Sequence, residues 1–283
     1  MKKVLGVFGD PVAHSRSPAM WNAAIEALGI DAIYLKFHVK RGELGEALGG
    51  MRALGISGVN LTLPHKEAAF EFIDEIDEAA RSIGAINTVR LNKDGSLSGF
   101  NTDAPGLMRS LAEGGARLRG SRAVILGAGG AARAALVGLE DEGAESIVIA
   151  ARRRDAAEAL RDEFAKTSRA KIRAIGMNEL GAALDDAGLL IQATSATLAG
   201  NAHAEDFAAS IPIERLPEDA IVTDLVYAPL ETSLLRRANE RELKTIDGLG
   251  MLIHQGAIAF SIFLGESPPV DRMRAALGVG GEG

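Results

Sequence analysis

Hydrophobic positions along the first hundred residues switch repeatedly between two periods. KVLGVFG (3–9), AIYLKFHV (32–39) and GVNLTL (58–63) read as short apolar strands, whereas PAMWNAAIEALG (18–29), ELGEALGGMRALG (43–55) and KEAAFEFIDEIDEAARSIG (66–84) carry helical spacing. In the last of these, Phe72, Ile76, Ala79, Ala80 and Ile83 fall on one predicted helical face. Such β-α-β alternation predicts a mainly parallel sheet covered by helices. NTVRLNKDGSLSGFNTD (87–103) ends the unit as a hairpin, with Asp94-Gly95 supplying its turn.

A polar stretch, AEGGARLRGSR, precedes a second alternating series with strands at RAVILG, IVIAARR, KIRAI, GLLIQATS, AIVTDLVY and LKTIDG. The pattern predicts an α/β chain of two doubly wound domains, residues 104–247 forming the second. From about Gly248 the tail is helical and too short for a domain. It is expected to pack back on the first unit, which then comprises residues 1–103 and 248–283.

Composition narrows the chemistry. The 283 residues carry a formal charge of −7, with a sequence pI near 5.4, which argues against broad contact with nucleic-acid phosphates and favours a small-molecule substrate. There is no cysteine, hence no disulfide or thiolate site, and the histidines at 14, 38, 65, 203 and 254 have no metal-ligand spacing, so no metal is expected. The N-terminal apolar run ends at Gly9-Asp10-Pro11, short of a signal segment, and MLIHQGAIAFSIFLG is interrupted by His254 and Gln255. The expectation is a soluble cytoplasmic protein that does not engage a membrane.

VILGAGGAARAAL places Gly127, Gly129 and Ala132 in a G-x-G-x-x-A pattern where a strand turns into a helix. The first glycine permits the tight turn, the second admits a pyrophosphate, and the alanine lets helix and strand approach closely. Backbone N–H groups along Ala128, Gly129, Gly130 and Ala131 would then face the phosphates. The following strand ends in Ala151-Arg152-Arg153-Arg154, where an NAD site would normally carry an acid. Guanidinium groups there suit a 2′-phosphate, which makes NADP the expected cofactor. A ligand-free glycine turn followed by a solvated basic helix start is the alternative.

Polar clusters at the ends of the first unit's strands, HSRSP (14–18), NLTLPHK (60–66), INT (86–88) and FNTD (100–103), occupy the usual ligand positions of open α/β sheets. In NLTLPHK, Pro64 reads as opening a helix, which puts Lys66 in a first helical turn. Positive charge is mildly unfavourable there, so the lysine is either a tolerated surface charge or present for chemistry.

With these motifs the chain resembles the shikimate dehydrogenases over nearly its whole length. The resemblance implies NADPH-dependent, reversible reduction of 3-dehydroshikimate to shikimate in aromatic amino acid biosynthesis. Lys66 and Asp103 match the catalytic pair, and a partly shielded lysine amine suits acid or base work. Asp103 would hold that ammonium, unless it only caps the helix that begins nearby. Ser15 and Ser17 match the serines that bind the substrate carboxylate, although Ser17 also suits a cap before Pro18. Thr62, Asn87 and Gln255 match positions that bind ring hydroxyls.

In the second domain Thr194, Val226, Gly248 and Met251 match cofactor positions, and Tyr227 matches a residue near substrate and nicotinamide. Plain packing is the alternative for Tyr227 and Met251. His14 and His65 match no catalytic role. The chain departs from the family pattern at Ala151, usually Asn, at Arg153, usually Ser or Thr, and at Gln192, usually Asn. The resemblance also leaves open a quinate or aminoshikimate preference, a non-catalytic NADP(H) sensor, and either a monomer or a homodimer.

Overall fold

The computed structural model describes residues 2–165 and 168–278. It forms two compact units, Met1–Gly106 with Ile253–Gly283, and Leu107–Leu252.

In the first unit β1 (Lys3–Gly9), β2 (Ala32–His38), β3 (Ile56–Leu61), β4 (Glu75–Ile76), β5 (Thr88–Leu91) and β6 (Leu97–Phe100) form one sheet in the order β2-β1-β3-β5-β6-β4. β1 runs parallel to β2 and β3, while β3/β5 and β5/β6 are antiparallel, so the sheet is mixed. The expected hairpin is β5/β6, with Thr88 opposite Phe100 and Leu91 opposite Leu97. Its turn is closed by Asn92 O accepting from Gly95 N and Asp94 Oδ1 accepting from Ser96 N.

Helices α1 (Ser17–Ala27) and α2 (Leu44–Leu54) lie where the spacing predicts. Trp21 of α1 is fully buried, stacked on Tyr34 at 4.6 Å and tilted against Phe260 at 5.2 Å. Burying large apolar side chains of this kind stabilises by roughly 1.5–3 kcal/mol each.

The predicted helix over 66–84 does not form. In its place stand a short 3-10 helix (Ala68–Phe72), the two-residue β4 and a short α3 (Glu78–Ile83). Local hydrogen bonds compete with the helix. The Asp74 carboxylate accepts from Leu97 N of β6 and from Arg52, and Asp77 Oδ1 caps α3 by accepting from Ala80 N. Of the predicted face, Ala80 and Ile83 are buried, but Phe72 and Ala79 are exposed and Ile76 only half-buried. Lys66 consequently lies in a turn ahead of the 3-10 helix and not in a helical turn. That turn is tied by His65 N donating to Thr62 O and by Lys66 O accepting from Ile86 N at 2.8 Å.

The chain leaves the first unit along α4 (Asp103–Glu113) and returns along α10 (Leu249–Leu264), with α11 (Val270–Ala276) behind it. Between them β7 (Arg122–Leu126), β8 (Ser146–Ala151), β9 (Lys171–Gly176), β10 (Leu189–Gln192), β11 (Ile221–Asp224) and β12 (Lys244–Ile246) make the second sheet. Its order is β12-β11-β10-β7-β8-β9 and every pairing is parallel. α5 (Gly130–Asp141), α6 (Arg154–Phe164), α7 (Leu180–Leu184), α8 (Ala204–Ala209) and α9 (Ser233–Glu240) complete the unit. All six strands fall where the apolar runs predict them. Val124, Ile125, Val148, Ile149, Leu190 and Ile191 are buried on successive positions, as expected when both faces of a parallel sheet are covered.

Candidate active site

In the first unit three of the polar clusters, NLTLPHK, INT and FNTD, meet at Asp103. The Lys66 ammonium donates to Asp103 Oδ2 at 2.6 Å, with side-chain exposures of 19% and 5%. Asn87 Nδ2 donates to Asp103 Oδ1 at 2.8 Å, so both carboxylate oxygens are engaged. Asp103 does not cap its helix. Asn101 does, its Oδ1 accepting from Asp103 N at 2.9 Å while its Nδ2 donates to Ala85 O. The Asp103 carboxylate is thereby left to face Lys66, and its charge sits favourably in the first turn of α4.

Asn87 is nearly saturated. Its second amide hydrogen goes to Thr102 Oγ1 at 2.9 Å, and its Oδ1 accepts from Thr102 N and Thr88 Oγ1. For Asn87 to bind a ring hydroxyl, one of these bonds must be released. The Thr62 and Ser17 hydroxyls, by contrast, make no hydrogen bond among the described residues, and Ser17 is the first residue of α1 rather than its cap. Ser15 Oγ accepts from Ser17 N at 3.4 Å. Gln255 lies on α10 beside the first turn of α4, because Gly106 brings the helices together: a Cβ there would stand 2.7 Å from Gln255 N. His65 is buried with Nε2 on Val39 O at 2.7 Å, and His14 is exposed.

In the second unit β7 turns into α5 through Gly127, whose φ of +115° suits only glycine, and a Cβ there would meet Thr194 Cγ2 at 2.8 Å. Gly129 precedes α5 without a side-chain cap, and Ala132 is fully buried against the sheet. Ala128, Gly130 and Ala131 complete an open turn whose first N–H groups have no capping side chain. This is the backbone arrangement that a pyrophosphate requires.

The three arginines after β8 separate in role. Arg154 is held by Glu158 at 2.9 Å and Glu179 at 2.5 Å, whereas the guanidinium groups of Arg152 and Arg153 have no partner among the described residues. Those two therefore remain available for a 2′-phosphate.

Sequence reasoning missed a buried network behind this loop. Asp224, at the end of β11, accepts from Thr197, Thr232, Val226 N and Gln192. Burial pushes its carboxyl up, against the lowering effect of those bonds. Gln192, one of the departures from the family pattern, also accepts from Thr194 N and donates to Thr197. Val226 is buried, Gly248 packs on the carbonyls of Leu225 and Val226, and Met251 is buried in the same unit, while Tyr227 is half-buried. A polar Asp in an apolar strand was the available signal. Among the described residues no three His, Asp or Glu side chains are placed to hold a metal ion, and no helix is long and apolar enough to cross a membrane.

A parallel α/β unit with such a loop and spare guanidiniums, in a chain that also pairs a half-buried lysine with a buried carboxylate, defines a nicotinamide-dependent dehydrogenase. Three family models narrow this. Residues 7–89 match the shikimate dehydrogenase substrate binding domain, 110–226 the shikimate/quinate 5-dehydrogenase domain, and 248–277 the shikimate 5′-dehydrogenase C-terminal domain.

A Methanopyrus kandleri shikimate dehydrogenase (NADP+) is 46% identical over 277 residues, covering 97% of this chain and 94% of the relative. A Thermus thermophilus shikimate 5-dehydrogenase crystallised with NADP(H) and shikimate superposes with a TM-score of 0.84 at 39% identity, over 97% of this chain and 98% of that one. A Corynebacterium glutamicum quinate dehydrogenase in complex with NAD superposes at 0.87 with 30% identity, over 98% of each. The chain belongs to the shikimate dehydrogenase family.

Proposed function

We propose that this chain catalyses the NADPH-dependent, reversible reduction of 3-dehydroshikimate to shikimate, with Lys66 transferring the proton and Asp103 positioning it. The 2.6 Å Lys66–Asp103 bond carries the reading. When bound, NADPH supplies a hydride to the ring carbonyl carbon. The Lys66 ammonium gives its proton to the carbonyl oxygen as negative charge develops there, and in the reverse direction the neutral amine takes the hydroxyl proton. Asp103 holds Lys66 at one oxygen. Its other oxygen is fixed by Asn87, so the ammonium has one preferred direction.

The unpartnered Ser17 hydroxyl, with Ser15, binds the substrate carboxylate, and Thr62, Asn87 and Gln255 bind ring hydroxyls. In the second unit, backbone N–H groups from Ala128 to Ala132 hold the pyrophosphate. Arg152 and Arg153 bind the 2′-phosphate and thereby favour NADP over NAD. Thr194, Val226, Gly248 and Met251 line the rest of the cofactor site, with Tyr227 facing the reacting end. The protein works in the cytoplasm as a monomer or homodimer.

Quinate is the second reading, favoured by the quinate dehydrogenase neighbour. Steady-state kcat/KM for shikimate and quinate with NADP decides between them. Shikimate should lead by at least about tenfold, a difference of roughly 1.4 kcal/mol in transition-state binding. Equal or faster turnover of quinate would overturn the substrate assignment.

A further inference from the structure

We propose that Tyr34, Asn60 and Thr88 are positioning residues for the reaction: a buried chain of hydrogen bonds, all donating in one direction, that fixes the Asn87 amide and through it the Asp103 carboxylate. The proposal rests on the reading of Lys66 and Asp103 as the proton-transfer pair.

The direction of every bond follows from the charge at its end. An ionised carboxylate only accepts, so Asn87 must turn its Nδ2 toward Asp103 Oδ1, at 2.8 Å. Its Oδ1 then faces Thr88, whose single hydroxyl proton is used in donating to it at 2.9 Å. The Thr88 oxygen can therefore only accept from its other neighbour, and Asn60 Nδ2 donates to it at 3.0 Å. Asn60 Oδ1 in turn takes the Tyr34 hydroxyl at 2.8 Å. Reversing either amide would set acceptor against acceptor among buried side chains. Aligned donors polarise one another, so the chain sharpens the orientation of its last member.

The far end is pinned as a structural anchor should be. Tyr34 is fully buried and stacked at 4.6 Å on Trp21, and its backbone N and O bond to the Asn22 side chain at 2.9 and 3.0 Å. Asn60 and Thr88 face each other across β3 and β5, so the sheet register itself sets their contact. An apolar pair would pack this sheet interior without polar groups to satisfy, yet here Asn60 and Thr88 continue the chain toward Asp103, and the second Asn60 amide hydrogen goes to Asn87 O at 3.2 Å. The signal was present in GVNLTL, where Asn60 stands among apolar strand residues.

The test compares kcat and KM of Thr88→Val, Thr88→Ser, Tyr34→Phe and Asp103→Asn, together with the Thr88→Val/Asp103→Asn double variant. Thr88→Val should lower kcat roughly tenfold, as expected for a misaimed proton-transfer group, with the KM for NADP within about twofold of wild type. Thr88→Ser, which keeps the hydroxyl, should recover kcat to within about threefold. Tyr34→Phe, which keeps the stacked ring, should lower kcat by about two- to fivefold. In the Asp103→Asn background Thr88→Val should have little further effect, because the group it orients has already been altered.

If Thr88→Val matches wild type while Asp103→Asn is disabled, the positioning chain is overturned and the proton pair stands. A Thr88→Val loss of equal factor in both backgrounds also overturns it. If Asp103→Asn is as active as wild type, the pair itself falls and the chain falls with it. Should Thr88→Val not fold, Tyr34→Phe decides by the same kcat and KM split.

Discussion

The setting of Lys66 is made by its neighbours rather than by a helix end. Read from sequence, it stands in an unfavourable first helical turn. In the structure it lies in a tied turn before a 3-10 helix, with its ammonium on Asp103 and limited access to water. The second unit has its own buried acid in Asp224, whose carboxyl is raised chiefly by burial. A group that holds its proton more tightly in the native state than in the unfolded chain stabilises the native state most fully below its ordinary pKa. That contribution is lost as pH rises through the native value. The thermal stability of wild type relative to Asp224→Asn should therefore decline as pH rises above about 4. Melting curves of both proteins from pH 4 to 8 measure this, and a gap that widens with pH would show instead that the ionised carboxylate is the stabilising form.

At the level of elements, helix α4 and helix α10 meet because Gly106 has no side chain. Gly106→Ala forces a methyl against the Gln255 backbone and should destabilise by about 1–3 kcal/mol. Denaturant unfolding measures it, and an unchanged midpoint would mean that the helices can separate without cost. Elements of this kind were unevenly legible in the sequence. The central strands of the second sheet, β7, β8, β10 and β11, were readable because they are buried on both faces, which leaves a continuous apolar run. The stretch 66–84 misled because helical spacing was present while the deciding interactions were not local. Asp74 bonds to β6 and to Arg52, partners that periodicity cannot supply. The same limit applied at the site. Lys66 and Asp103 stood out as residue types in suggestive places, but Asn101 as the true cap of α4 and the chain from Tyr34 to Asn87 depend on strand register and turn closure.

Across the whole molecule, one unit carries the Lys66–Asp103 pair and the other the glycine-rich turn. NADP binding should stabilise the protein by about 2.7 kcal/mol at a hundredfold excess over its Kd, with a smaller effect from NAD. Thermal shift readings should show this preference reduced in Arg152→Ala and Arg153→Ala but kept in Arg154→Ala, whose guanidinium is already paired with Glu158 and Glu179. Retention of the full preference in both of the first two variants would move the phosphate contact elsewhere. The central claim, that Lys66 moves the proton, is tested most directly by the steady-state kinetics of Lys66→Ala with shikimate and NADP. The expected result is a fall in kcat of about 10²–10⁴-fold, with the affinity for NADP unchanged. A Lys66→Ala enzyme whose kcat stays within about twofold of wild type would contradict it.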